Sequence, residues 1–175
     1  MIRHLTPADY TAMPWANGRG TTVEILRETA PDGGLLLRIS MASVVENGPF
    51  SIFPGVERNL TVISGPGFDL VGESRITAAP FMPVAFPGDV PIAATAVTSA
   101  CEDFNVMTAR AQPLPEVRVQ TDSDVVPPRA GRLAVFALNE GSVSGHAAGK
   151  HDLLITYEKA RLEGGPFIVV GLVTG

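Results

Sequence analysis

Leu35-Leu-Leu-Arg-Ile-Ser-Met-Ala-Ser-Val44 is the stretch that decides the fold. Leu35, Leu37, Ile39 and Met41 fall on one face of an extended chain, and Arg38, Ser40 and Ala42 on the other. Side chains that alternate in this way mark a β-strand. Outward from it, further strands are expected at 21–27, 60–64, 68–71, 84–86, 92–97, 105–110, 133–138, 153–157 and 167–173. Turn signals separate them, among them Asn17-Gly18, Asp32-Gly33-Gly34, Asn47-Gly48-Pro49, Gly65-Pro66-Gly67 and Gly164-Gly165-Pro166. One short helix is expected near the start, with Thr6 as cap, Pro7 in the first turn and Pro14 as its limit. No long apolar pattern at helical spacing follows, so the class is all-β.

Composition agrees with this. The chain has 175 residues, 45% apolar and 18% charged, which is too apolar for a disordered chain. Eighteen glycines and fifteen prolines are spread along it, as many short strands require. A net charge of −5 without a basic run argues against nucleic acid as a partner. Cys101 is the sole cysteine, so no disulfide closes within the chain, and its neighbours Glu102 and Asp103 disfavour a thiolate. The first fifteen residues lack a signal peptide's apolar core, and no stretch approaches the ~20 apolar residues of a membrane helix. A cytoplasmic location without membrane contact is the expectation.

A faint repeat divides the chain. Leu60-Thr-Val-Ile-Ser-Gly65 leads through Gly67 to Gly88-Asp89, and Leu133-Ala-Val-Phe-Ala137 leads through Gly141 to Gly149 and His151-Asp152. Each copy is an apolar strand, a glycine turn, a second strand and a turn into a third, as in a small antiparallel barrel or jelly roll. Residues 113–132, rich in proline, read as the connection, with an edge strand at 117–120. The expected division is residues 1–112 for a first half carrying the pocket and 113–175 for the connection and second half.

Standard chemistry is missing. His4, His146 and His151 are scattered, and the last two, five apart in a glycine- and alanine-rich stretch, read as loop. No metal site and no cofactor are therefore expected. There is no Gly-x-Ser-x-Gly elbow, and Gly18-Arg-Gly20 leads into a strand, not into a helix that could hold a phosphate. No catalytic set is assigned. What stands out is polar residues inside strands: Glu24, Arg38, and Asn105 sharing a face with Met107, while Arg58 follows an aromatic turn segment. Together they suggest a concave interior where arginine takes a carboxylate and asparagine an amide or imine.

Three segments carry a family likeness. They are Pro14-Trp-Ala-Asn-Gly-Arg-Gly-Thr-Thr-Val-Glu-Ile25, then Arg38-Ile-Ser-Met-Ala42 with Gly48-Pro-Phe-Ser-Ile-Phe-Pro-Gly55 and Arg58, and finally Asp103-Phe-Asn-Val-Met107. In these the chain resembles the HutD/Ves family of the cupin superfamily. The resemblance implies two fused cupin-like jelly-roll barrels in one chain, without the usual cupin metal ligands. It implies an accessory role that tunes bacterial histidine utilisation. Carried onto matching positions, it implies Trp15, Asn17, Glu24, Arg38, Arg58, Asn105 and Met107 as the ligand-binding set. The chain departs from the family with Ala16 where a basic residue is common, Arg19 where glycine is common, and Ala109 where arginine is frequent.

The expected function is non-enzymatic binding of a small anionic pathway intermediate: formimidoylglutamate, formylglutamate or urocanate. An alternative is a metal-independent cupin enzyme with Glu24 as general acid and base. A third is an interaction module, since exposed sheet edges permit a homodimer.

Overall fold

Aliphatic and β-branched residues at alternate positions, cut every few residues by glycine or proline, leave the backbone little choice but short strands. The computed structural model describes residues 1–173 and places nineteen strands in them. The first eleven are β1 (Ile2–Leu5), β2 (Thr11–Pro14), β3 (Thr21–Thr29), β4 (Leu35–Val44), β5 (Gly48–Pro49), β6 (Val56–Ser64), β7 (Phe68–Val71), β8 (Arg75–Ala78), β9 (Val84–Pro87), β10 (Ala93–Thr95) and β11 (Cys101–Ala109). The remainder are β12 (Glu116–Gln120), β13 (Asp124–Val125), β14 (Gly131–Ala137), β15 (Gly141–Val143), β16 (His146–Ala148), β17 (Leu153–Thr156), β18 (Ala160–Gly164) and β19 (Phe167–Val173). The fold is all-β with antiparallel ladders, and no helix among the described residues is long and apolar enough to cross a membrane.

The expected N-terminal helix is a single 3₁₀ turn, Pro7–Asp9. Its capping chemistry is present, because the Thr6 amide donates to Asp9 Oδ2 at 2.8 Å and the Asp9 amide donates to the Thr6 carbonyl at 2.8 Å. The helix stops there because Tyr10 is already extended and Thr11–Pro14 is recruited to a ladder with Thr21–Glu24.

The chain forms two units, Thr11–Ala111 and Met1–Tyr10 with Gln112–Gly175. The first ten residues therefore leave the expected 1–112 half. The cause is pairing: β1 lies antiparallel to β17, Ile2 opposite Thr156 and Leu5 opposite Leu153. His4 Nε2 lies 2.8 Å from Asp152 Oδ2, and the Tyr10 hydroxyl donates to the His151 carbonyl at 2.6 Å. His151 also stacks on Phe136 at 5.4 Å, and His146 opens a strand where a loop was expected.

In the Thr11–Ala111 unit, a six-stranded sheet ordered β2-β3-β4-β11-β6-β9 is joined by a four-stranded sheet ordered β5-β10-β7-β8. Val44, Leu60, Val62, Phe86 and Cys101 of the first pack with Phe68, Leu70, Ala78 and Ala94 of the second. Cys101 is a core side chain, its Sγ 3.7 Å from the carbonyls of Gly67 and Ser99.

The other unit repeats the plan with a five-stranded sheet, β1-β17-β14-β19-β12, and a second sheet, β13-β18-β15-β16. Its core is an apolar cluster that runs from Leu133, Val135 and Leu154 to Val143, Leu162 and Phe167. Both units thus have the two-sheet jelly-roll arrangement expected of cupins.

Leu60 is fully buried on β6, two residues from the polar part of the first unit's interior. Leu60→Ala is expected to lower stability by roughly 2–5 kcal/mol. Urea unfolding followed by far-UV circular dichroism measures this, and a loss below about 1 kcal/mol would contradict the packed floor described for this barrel.

Candidate functional site

β4, β11 and β6 are neighbours, and their pairing arranges the site in rows. Arg38 is opposite Met107, which is opposite Arg58; Ser40 is opposite Asn105, which is opposite Leu60; Ala42 is opposite Asp103, which is opposite Val62. Directly opposed residues in an antiparallel sheet share a face. The polar set of the Leu35–Val44 strand therefore turns into the barrel beside Asp103, Asn105 and Met107. A cavity of about 440 Å³ opens there. This volume is ordinary for a small-molecule site. Its walls include Arg38, Ser40, Arg58, Asp103, Asn105 and Met107, with Trp15, Asn17 and Thr22 on one side and Phe50, Ser51 and Phe53 on another.

Arg58 is the buried cation of this chemistry, only 8% exposed. Its guanidinium carbon lies 5.0, 5.6 and 5.2 Å from the ring centres of Phe50, Phe53 and Phe86. Aromatic faces attract a desolvated cation, each by up to ~2 kcal/mol. Nη2 donates to Asn105 Oδ1 at 2.9 Å, while Nε is buried without a partner. Burial pulls the guanidinium down to about 10, against the support of Asp103, so Arg58 is charged at neutral pH.

Asn105 passes the polarity on. Its Nδ2 donates to Asp103 Oδ1 at 2.5 Å. Asp103 is 1% exposed, and burial pushes its carboxyl up to about 7. The Arg58 charge, the Asn105 amide and the Ala42 backbone amide all oppose that rise without cancelling it. Arg58, Asn105 and Asp103 thus form a buried cation–amide–carboxyl chain across two strands.

Arg38 is held from the barrel's edge. Glu24 Oε2 accepts from Arg38 Nε at 2.8 Å and from Arg27 Nη1 at 3.3 Å. Residues three apart on a regular strand face opposite ways. Here a β-bulge between Glu24 and Leu26 adds one residue against β4, so Glu24 pairs with Ser40, Leu26 with Ile39 and Arg27 with Arg38. The strict alternation expected for residues 21–27 is broken at this point.

The mouth is formed by the loop between β2 and β3. The Trp15 carbonyl accepts from the Gly18 amide at 2.9 Å, and Trp15 N donates to the Gly20 carbonyl at 2.9 Å. The indole Nε1 donates to Thr22 Oγ1 at 2.9 Å. The ring lies so close over Gly20 that a Cβ there would come within 2.6 Å of it. Arg19 is turned to Glu46 in a surface ion pair and does not line the cavity.

Of the seven expected residues, Trp15, Asn17, Arg38, Arg58, Asn105 and Met107 line one cavity. Glu24 does not line it; it holds Arg38 in place. Asp103 was missed, although it alternates with Asn105 and Met107 and that spacing alone puts it on their face. The cage of Phe50, Phe53 and Phe86 was also missed, since only folding brings 50–53 and 86 around residue 58. Among the described residues, no three His, Cys, Asp or Glu side chains converge as metal ligands would.

With this geometry in hand, known proteins can be set beside it. The model of the HutD family matches residues 7–169. Protein Ves of Citrobacter koseri is 37% identical over 117 residues, 63% of this chain and 61% of that protein. An uncharacterized Pseudomonas putida protein of the hutC 3′ region is 36% identical over 111 residues, 62% of this chain and 58% of that protein. The chain thus spans about three fifths of the length of these curated relatives. The solved structure of HutD from Pseudomonas fluorescens SBW25 superimposes with a TM-score of 0.83 at 30% identity, covering 100% of both chains.

The buried carboxyl has a consequence for stability. A carboxyl raised from 3.8 to about 7 binds a proton more tightly folded than unfolded, so its contribution falls as pH rises through that window. Asp103→Asn removes this dependence. Urea midpoints from about pH 5 to about pH 8 are expected to decline more for the native chain than for the variant. Parallel curves would rule the assignment out.

Proposed function

The chain belongs to the HutD family, and on that footing we propose that it is a non-enzymatic accessory protein of histidine utilisation whose first barrel binds a small anionic intermediate of that pathway. The observation that carries this reading is Arg58, a charged guanidinium in a cavity wall, caged by three phenylalanines, with Nε left unpaired. Desolvating a cation in this way is costly unless an anion completes it. Arg38 adds a second cation, oriented by Glu24 through Nε, which leaves its terminal N–H groups for a ligand. Asn105 and the hydroxyls of Ser40, Ser51 and Thr22 offer neutral partners for a nitrogen-bearing end. Formimidoylglutamate, formylglutamate and urocanate each combine a carboxylate with such an end. Trp15, the chain's single tryptophan, stands in the cavity wall and is a natural reporter.

Calorimetric titration and Trp15 fluorescence with these three compounds test the reading. Saturable binding of at least one is expected. Arg58→Met and Arg38→Ala should each weaken it roughly tenfold to a hundredfold, the worth of a charge-assisted hydrogen bond. Glu24→Gln should weaken it less, by loosening Arg38. Absence of heat and of fluorescence change from all three, with folded protein, would reject the ligand class.

A further inference from the structure

Two positive charges and one negative charge line the cavity: Arg38 from β4, Arg58 from β6 and Asp103 from β11. Glu24 on β3 neutralises Arg38 from outside the wall, at 2.8 Å. Arg58 and Asp103 compensate each other through Asn105. Glu102, next to Asp103, is exposed on the opposite face, and the 15–17 and 49–53 segments bring no charged side chain to the cavity. The site is therefore close to balanced before any ligand enters. A carboxylate that seats against Arg58 unbalances it, because two anions then share one buried cation.

We infer that Asp103 resolves this by accepting a proton from solvent as the ligand's carboxylate docks, so that binding and protonation are one event. The inference rests on the anion-site reading above. Like charges confined in a poorly solvated site cannot both stay ionised, and the one with the poorer hydration takes a proton. Asp103 is that group, being 1% exposed and already pushed up to about 7. Its neutral form can also donate a hydrogen bond where the ionised form only accepts. Among the described residues, no histidine stands in the cavity wall to do the same work. Asp103 thereby sets the pH range over which the cavity accepts an anion.

The test is calorimetry with N-formylglutamate, whose carboxylates stay ionised across the range used. Run at about pH 8 in phosphate and in Tris, the native chain should show heats that differ by the buffers' ionisation enthalpies, with close to one proton taken up per ligand. Uptake should shrink below about pH 6, and affinity should fall about tenfold per pH unit above Asp103's range. Asp103→Asn should bind with no proton uptake and a flat pH profile. Binding by the native chain with equal heats in both buffers would overturn the inference and leave the anion site standing. Uptake that persists in the variant would overturn it too. No binding by the native chain in either buffer would overturn the anion site itself, and this inference with it.

Discussion

A guanidinium placed inside a β-barrel has to be kept company, and much of the first unit is organised around that demand. Arg58 enters from β6 at a point where the neighbouring strand supplies Asn105 and, one pleat further, Asp103. Three phenylalanines, two from the 50–53 segment and Phe86 from β9, stand around it. Each partner answers a different cost: the rings offset lost hydration, the amide satisfies a donor, and the carboxyl supplies countercharge. The same demand explains why the interior is graded, with a packed apolar region at Leu60, Val62 and Cys101 and an open polar one beside it.

The two units solve the problem of a barrel interior differently. In the unit that holds Met1–Tyr10 and Gln112–Gly175, leucine, valine, alanine and phenylalanine side chains pack into one buried cluster. Such a cluster adds buried apolar area without desolvating a charge. In Thr11–Ala111, part of that area is given up to Arg38, Ser40, Asp103 and Asn105. Cavities lined by polar groups stabilise a fold less than packed ones, and the proposed binding role would account for that cost.

Much of this was legible in the residues. The period-two pattern of Leu35–Val44 identified a strand with a polar face, and the structure turns that face into the cavity. The Pro14–Ile25 and Asp103–Met107 segments, with Arg38 and Arg58 between them, named six of the wall residues. Two things were not legible, and a third was legible but overlooked. The aromatic cage depends on which turns meet, a tertiary fact with no local signature. Residues 11–14 were read as the continuation of a helix because Thr6, Pro7 and Asp9 are good capping chemistry, and pairing of Thr11–Pro14 with β3 overrode local preference. Asp103 opened the Asp103–Met107 segment but was weighed only as a charge near Cys101 that quiets a thiol, so its place in the pleat was overlooked.

The bulge in β3 puts one more residue on that strand than on β4 between the Glu24–Ser40 and Leu26–Ile39 pairs. That surplus residue is slack. A strand one residue shorter here would run as a regular pleat and still bring Glu24 and Arg27 to Arg38's side. This wall would therefore keep its facing through a deletion that would invert most strands, at the cost of the buried Ile25 side chain. The same slack sets a trap for position-by-position comparison: an ungapped alignment with a shorter homologue would match Arg27 to a side chain on the wrong side of the sheet.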